Sequence, residues 1–500
     1  MIHGLDAARE ALSEGRPALV WEERVVDTLT PVGAALRLIA PKRGDFLLES
    51  VEGGAVRGRY SLLGLDPDLV FIAQGDTARV NRSWQHDRDR FDESESGPLD
   101  TLKALVAESR IAVPDGLPPA LAFLVGYFAY ETIALVENLP RAPNPGLGLP
   151  DMVFVRPTVL CVFDNLSDTM VCISPLWPGA TDAETLLGRA AERIANVLET
   201  MGQGEPASPS PDLPEAVEFS AHTTKERYAE MVERAREYIR AGDIFQVVLS
   251  QRFSAPFPLP PLTLYRALRR INPSPFLFFL DLPDFAVVGS SPEILVRVRD
   301  GEVTIRPIAG TRPRGATTEE DLAKEAELLA DPKERAEHLM LLDLGRNDVG
   351  RVARADSVRV TDSFTVERYS HVMHIVSNVV GALAEDRDAV EALFAGFPAG
   401  TVSGAPKIRA CEIIAELEAD RRGPYAGGVG YFAPDGGLDS CIVLRTAVVK
   451  DEVMHVQAGA GIVADSDAAY EQSECEAKAG ALLSAAREAV RLARAQDDRR

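Results

Sequence analysis

From residue 245 onward, the chain is written in short β-rich runs that come as hairpin-like pairs, and helices follow the pairs. The runs are Phe245–Phe253, Pro275–Leu282, Ala286–Ser290, Ile294–Arg299 and Glu302–Pro307, then Val358–Val366, Gly427–Ala433, Ile442–Lys450 and Val453–Ala458. Helical periodicity covers Thr318–Leu329, Pro332–Leu344, Lys407–Leu417 and Asp467–Ala493. A doubly wound parallel sheet would need helices between successive single strands. The pattern therefore predicts an α+β fold with large antiparallel sheets.

The N-terminal part has β-rich runs at Asp45–Ser50, Asp68–Ala73, Val153–Asp164 and Thr169–Ser174, few helices, and a charged loop from Trp84 to Gly97. A helical stretch, Ala180–Met201, ends at the clearest boundary, Gly202–Ala216, where Pro, Ser and Gly cluster. Thr223 or Thr224 then caps a helix through Lys225–Ala241. The expected organisation is 1–205, a linker at 206–220, and 221–495. The tetrapeptide Val-Gly-Tyr-Phe occurs at Val125–Phe128 and again at Val429–Phe432, too short a match to define a repeat.

Five hundred residues allow a large core, and the net charge of −23 disfavours nucleic acid or an anionic membrane as partner. An anionic substrate would need Arg, Lys or a metal placed locally against that field. Met1–Gly15 has no apolar core of a secretory signal, and the uncharged run Leu117–Tyr130 is too short to span a bilayer. Cys161, Cys172, Cys411, Cys441 and Cys475 are odd in number and scattered, which reads as reduced thiols in a cytoplasmic protein.

Two acidic pairs, Glu334/Glu337 and Glu471/Glu474, each lie on one face of an expected helix. Either pair alone is ordinary solvated-helix chemistry. Together, four carboxylates from two distant helices could cage a hard divalent cation such as Mg²⁺. Pro398–Lys407 offers glycines, Thr401, Ser403 and a helix N-terminus to an anion, or is simply a turn with a cap. It lacks P-loop spacing. Ala458–Val463 lacks the third glycine of a dinucleotide fingerprint, and a tight turn explains it equally well. Arg445, inside the apolar run Cys441–Thr446, needs a partner, either a bound carboxylate or a buried salt bridge. His374 in Val-Met-His-Ile-Val is by default a satisfied core histidine.

Seven ordered motifs carry a resemblance. They are Gly242-Asp-Ile-Phe-Gln-Val-Val-Leu-Ser250, Asn272-Pro-Ser-Pro275, Gly289-Ser-Ser-Pro-Glu293, Arg306-Pro-Ile-Ala-Gly-Thr-Arg312, Glu337–Asp348, Pro398–Lys407 and Gly459-Ala-Gly-Ile462. The chain resembles the chorismate-utilising enzymes, most closely anthranilate synthase component I, densely over about 220–490 and more loosely before. The resemblance implies large antiparallel sheets packed as a sandwich with helices outside. It implies Mg²⁺ on Glu337 and Glu474, with Glu334 and Glu471 nearby through water, holding the ring carboxylate of chorismate. Glu293 aligns with the general acid for the C4 hydroxyl. Tyr425 and Arg445 align with residues that hold the enolpyruvyl carboxylate, assisted by the amides of Gly459 and Gly461 and the charge of Lys478. Thr311 falls in a substrate-binding segment. His374 and Thr401 align with active-site residues, His374 being assigned to loss of the C2 proton and pyruvate.

Isochorismate- and salicylate-forming relatives use a lysine to activate water where Gln246 stands here. Aminodeoxychorismate synthases read Pro-Ile-Lys-Gly-Thr where Ala309 stands here. Both positions point to anthranilate formation. No cysteine sits in the Gly-x-Cys-x-Gly turn typical of a glutaminase, so a separate glutamine amidotransferase subunit is the expected ammonia source, in a hetero-oligomer. Leu47-Leu-Glu-Ser50 resembles part of a tryptophan feedback site, with Glu49 and Ser50 joined by Asn272, Pro273, Ser274, Pro275 and Phe276. There, Glu49 would pair with the effector's amino group. The rival readings are an aminodeoxychorismate synthase large subunit and a non-catalytic chorismate or tryptophan sensor.

Overall fold

The structure, a computed structural model, describes residues 1–52, 56–204, 217–369 and 372–497. Of the expected linker 206–220, the part up to 216 lies outside the described residues.

The paired runs assemble into two twelve-stranded sheets whose neighbouring strands are antiparallel. Both sheets run through both parts of the chain. In the first, Asp45–Glu49 pairs with Phe276–Asp281, with Leu48 opposite Phe278. In the second, Leu124–Phe128 pairs with Gly428–Phe432. That second junction brings the two Val-Gly-Tyr-Phe tetrapeptides together, head to tail, with Gly126 opposite Gly430. The boundary at 202–216 therefore divides the sequence but not the sheets.

Side-chain alternation builds three apolar layers, because successive residues of a strand face opposite sides. In Phe276–Asp281, Phe278 and Leu280 join Val70, Val125, Tyr127 and Val153 in a core between the sheets. Leu277 and Phe279 face the other way, under Pro261–Ile271 and Ala468–Asp497. A third layer packs Ala389–Gly396 behind the second sheet and Lys407–Leu417 against Gln246–Pro256 of the first. The result is the expected sandwich with helices outside. Thr224 caps Lys225–Ala241, its hydroxyl accepting from the Arg227 amide.

Two runs read as single strands are each two. Val153–Asp164 breaks at Pro157: Met152–Arg156 belongs to the second sheet and Val159–Asp164 to the first. Proline cannot supply the ladder N–H, which makes it a natural step between sheets. Ile442–Lys450 likewise divides into Leu438–Ile442 in the second sheet and Thr446–Lys450 in the first. The step passes through Arg445, whose φ of +47° lies in the left-handed region. Conversely, Val453–Ala458 continues to Ile462, so Gly459 and Gly461 lie inside a strand and form no turn. The strand Val372–Ala382, which carries His374, was not apparent from its pattern.

Candidate active site

A third step between sheets lies at Pro292–Glu293, linking Ala286–Ser291 of the first sheet to Ile294–Arg299 of the second. The Ile442 amide donates to the Glu293 carbonyl at 3.1 Å, tying this step to the one that carries Arg445. Between the steps opens a cavity of about 670 Å³. Every catalytic, substrate and metal residue expected from the sequence lines it: Glu293, His374, Thr401, Thr311, Tyr425, Arg445, Gly459, Gly461, Lys478, Glu334, Glu337, Glu471 and Glu474.

Glu293 is buried, and its Oε1 accepts a hydrogen bond from the Thr401 hydroxyl at 3.0 Å. Burial pushes its carboxyl up to about 8, against the opposing pull of Thr401 and Arg445. It is therefore largely a protonated acid at neutral pH. The Arg445 side chain makes no hydrogen bond or ion pair with any described residue, although burial lowers its pKa from the usual guanidinium value. Burying an ion without its partner costs several kcal/mol, so this guanidinium is set for an anionic ligand. No buried salt bridge accounts for it.

His374 faces Thr311 across the strand pair Ile308–Pro313/Val372–Ala382. Its Nδ1 lies 3.0 Å from the Gly310 carbonyl, which can only accept, so Nδ1 carries the proton. Burial holds the ring pKa below the ordinary histidine value. A neutral imidazole with Nδ1–H engaged leaves Nε2 as a proton acceptor. The two strand glycines admit close neighbours. A Cβ on Gly459 would stand 2.7 Å from the Tyr425 hydroxyl, and one on Gly461 would stand 2.6 Å from Gln246 Nε2.

The carboxylates approach from Pro332–Gly350 and Ala468–Asp497. Burial first, then the charge of Glu334 and, more weakly, Glu474, raise the Glu337 pKa; burial and Glu474 raise that of Glu471. Among the described residues, no three His, Cys, Asp or Glu side chains converge as a metal-holding group. Glu334 is held by Arg312 at 2.8 Å and Glu474 by Lys478 at 2.7 Å. An all-oxygen, mutually repelling donor set still fits a hydrated Mg²⁺, which takes one or two carboxylates and completes its shell with water and substrate oxygens.

Several residues that shape the cavity were not singled out from the sequence. Lys333, Tyr369, Gln457 and Tyr470 line it. Behind it, the buried Arg422, paired with Glu418 at 2.6 Å, donates to the Val402 and Val248 carbonyls and so fixes two cavity walls. Lys407 and Asp348, the ends of two quoted motifs, meet as a buried ion pair at 2.9 Å.

A second cavity, of about 870 Å³, is lined by Glu49, Ser50, Pro275 and Phe276 together with Tyr60 and Tyr431. Asn272, Pro273 and Ser274 do not line it; they form the turn leading in, where the Asn272 carbonyl accepts from Ser290 Oγ. Glu49 is not a free carboxylate: Arg269 holds both its oxygens, at 2.6 and 2.8 Å, and Tyr265 donates at 2.7 Å.

The chorismate binding enzyme family matches residues 52–484. Anthranilate synthase component 1 of Cereibacter sphaeroides is 53% identical over 482 residues, 96% of each chain. That of Thermus thermophilus is 47% identical over 92% of this chain and 96% of its own. The crystal structure of anthranilate synthase component I from Streptococcus pneumoniae superimposes with a TM-score of 0.76 at 37% identity, covering 92% of this chain and 99% of that one. The Escherichia coli menaquinone-specific isochorismate synthase shares the fold, with a TM-score of 0.72 at 19% identity. A fold and cavity of this kind define the chorismate binding enzymes. The chain belongs to that family and, within it, to the anthranilate synthase component 1 group.

Proposed function

We propose that this chain is the large subunit of a cytoplasmic anthranilate synthase, converting chorismate and ammonia to anthranilate and pyruvate. The observation that carries the reading is one cavity holding a protonated buried acid, an unpartnered guanidinium, a neutral imidazole and an acidic wall. Arg445 and Tyr425 hold the enolpyruvyl carboxylate, with Gly459, Gly461 and Lys478 at hand. When bound by Glu337 and Glu474, with Glu334 and Glu471 alongside, Mg²⁺ supplies Lewis acidity and charge neutralisation for the ring carboxylate.

Ammonia adds at C2, the ring double bonds shift, and the C4 hydroxyl departs as water with the proton from Glu293. Thr401 orients that carboxyl. The added ammonium gives up one proton to solvent, and His374 Nε2 then takes the C2 proton; the C–O bond breaks, the enolpyruvate that leaves takes up a proton at its methylene carbon to become pyruvate, and the ring becomes aromatic. Gln246 cannot serve as a base for water, and Ala309, also in the cavity wall, leaves no lysine for the aminodeoxychorismate route.

Ammonia comes from a separate glutaminase subunit, since all five cysteines are buried and none is placed as an exposed nucleophile. Tryptophan is the feedback effector, seated in the second cavity against Ser50, Pro275 and Phe276. There Glu49 braces the wall through Arg269, and the amino group meets only its remaining acceptor capacity.

The test mixes the purified chain with chorismate, Mg²⁺ and an ammonium salt at mildly alkaline pH. Anthranilate fluorescence and pyruvate should appear together and vanish with EDTA. An aminated product that keeps its enolpyruvyl group would transfer the chain to aminodeoxychorismate synthesis. No turnover, with chorismate still bound, would make it a sensor.

A further inference from the structure

Three residues, Pro292, Ile308 and Tyr369, line both cavities and form the partition between them. Each is joined directly to catalytic machinery on the active side. Pro292 precedes Glu293 in the chain. Ile308 begins the strand whose Gly310 carbonyl holds His374. The Tyr369 ring packs edge-on against the His374 ring, with centroids 5.5 Å apart and planes at 65°. From the other side, the Tyr369 hydroxyl donates to Glu367 Oε2 at 3.0 Å, and Glu367 is ion-paired with Arg306. Glu367 and Arg306 line only the second cavity.

From this arrangement we propose that Tyr369 is a positioning residue for His374, and that it transmits occupancy of the second cavity to the catalytic one. The proposal rests on the assignment of the second cavity to tryptophan made above. An effector pressed against the Glu367–Arg306 pair selects one position of the Tyr369 ring, because that ring is fastened to the pair by its hydroxyl. The His374 ring is edge-packed on Tyr369, so it follows. Close-packed aromatic contacts move as units and do not deform gradually. Coupling of this kind is reciprocal, so chorismate must weaken tryptophan binding by the factor with which tryptophan weakens chorismate binding.

The experiment measures tryptophan binding by calorimetry with and without chorismate, with Mg²⁺ present and ammonia omitted, alongside steady-state inhibition with ammonium as nitrogen source. In the wild type, chorismate should weaken tryptophan binding about 5- to 150-fold. Tyr369→Leu should still bind tryptophan, but chorismate should no longer change that affinity, and the remaining activity should resist tryptophan. Its kcat should fall by about ten-fold or more, with KM for chorismate changed far less, the sign of a lost transition-state arrangement. Tyr369→Phe keeps the ring edge and should restore kcat, while losing part of the coupling with its hydroxyl. A Tyr369→Leu chain that retains full reciprocal coupling overturns the proposal, as does one whose kcat is unchanged. Should that variant fail to fold, Ile308→Ala is read the same way: coupling intact would reject the partition as the route. Failure of the underlying assignment looks different, since the wild type itself would then bind no tryptophan.

Discussion

Glu293 can donate a proton only while it holds one, and burial keeps that proton on through neutral pH. Its ordinary value of 4.5 is raised to about 8. Turnover limited by this acid should therefore fall as pH rises through about 8. The stability consequence has a definite sign. A carboxyl whose folded value lies above its unfolded value adds a contribution fully present below about 4.5 and lost as pH rises through about 8. Glu293→Gln should lower kcat by about 100- to 10,000-fold, the usual worth of a positioned acid. It should also remove that pH dependence, so its melting temperature should compare better with the wild type at pH 9 than at pH 5. Paired pH–rate and thermal-melt series check both halves; an active Glu293→Gln enzyme would take the acid role away from this residue. From the sequence, the identity of Glu293 was legible through its Gly289-Ser-Ser-Pro-Glu293 motif. Its protonation was not, since burial depends on the folded surroundings, which bring neighbours such as Thr401 from 108 residues away.

At the scale of elements, Glu293 and Arg445, the proposed acid and carboxylate anchor, sit where the chain steps from one sheet to the other. Arg445 occupies such a step, at a φ of +47°, and this frees its side chain from both ladders. Read along the sequence, Ile442–Lys450 is one apolar run, so periodicity joined two strands that tertiary structure assigns to different sheets. The same thing happened at Val153–Asp164. Arg445→Lys keeps the charge but loses the planar fork that grips a carboxylate. It should raise KM for chorismate on the order of 10- to 100-fold, with anthranilate still formed. An unchanged KM would mean that the guanidinium serves something other than substrate.

The helices tell the opposite story, because the Glu334/Glu337 and Glu471/Glu474 spacing was readable, and both pairs do reach the cavity. What the spacing of the pairs could not reveal is that Arg312, from the strand Ile308–Pro313, holds Glu334, while Lys478 holds Glu474 from one helical turn on. Glu474→Gln should abolish Mg²⁺-dependent turnover and weaken Mg²⁺ binding in calorimetry, while circular dichroism stays that of the wild type. Near-normal Mg²⁺ affinity would remove Glu474 from the metal site.

For the whole molecule, the continuity of both sheets across the 202–216 boundary decides how the chain can be divided. Composition marks that boundary clearly, but composition says nothing about pairing between distant strands. A fragment of 221–495 would lose the partner of Phe276–Asp281, which is Asp45–Glu49, and the partner of Gly428–Phe432, which is Leu124–Phe128. Each loss bares an apolar strand edge at the middle of a sheet, and the core between the sheets loses Val70, Val125, Tyr127 and Val153 as well. Exposed edges of this kind recruit other strands, so the fragment made alone should aggregate. A protease site engineered between 206 and 216 tests the same point in the intact protein. After cleavage the two pieces should stay associated in size-exclusion chromatography and keep ammonia-dependent activity, because Asp45–Glu49 remains paired with Phe276–Asp281 and Leu124–Phe128 with Gly428–Phe432. A soluble, monomeric and active 221–495 would show instead that the catalytic half stands alone, and that the N-terminal strands only cover it.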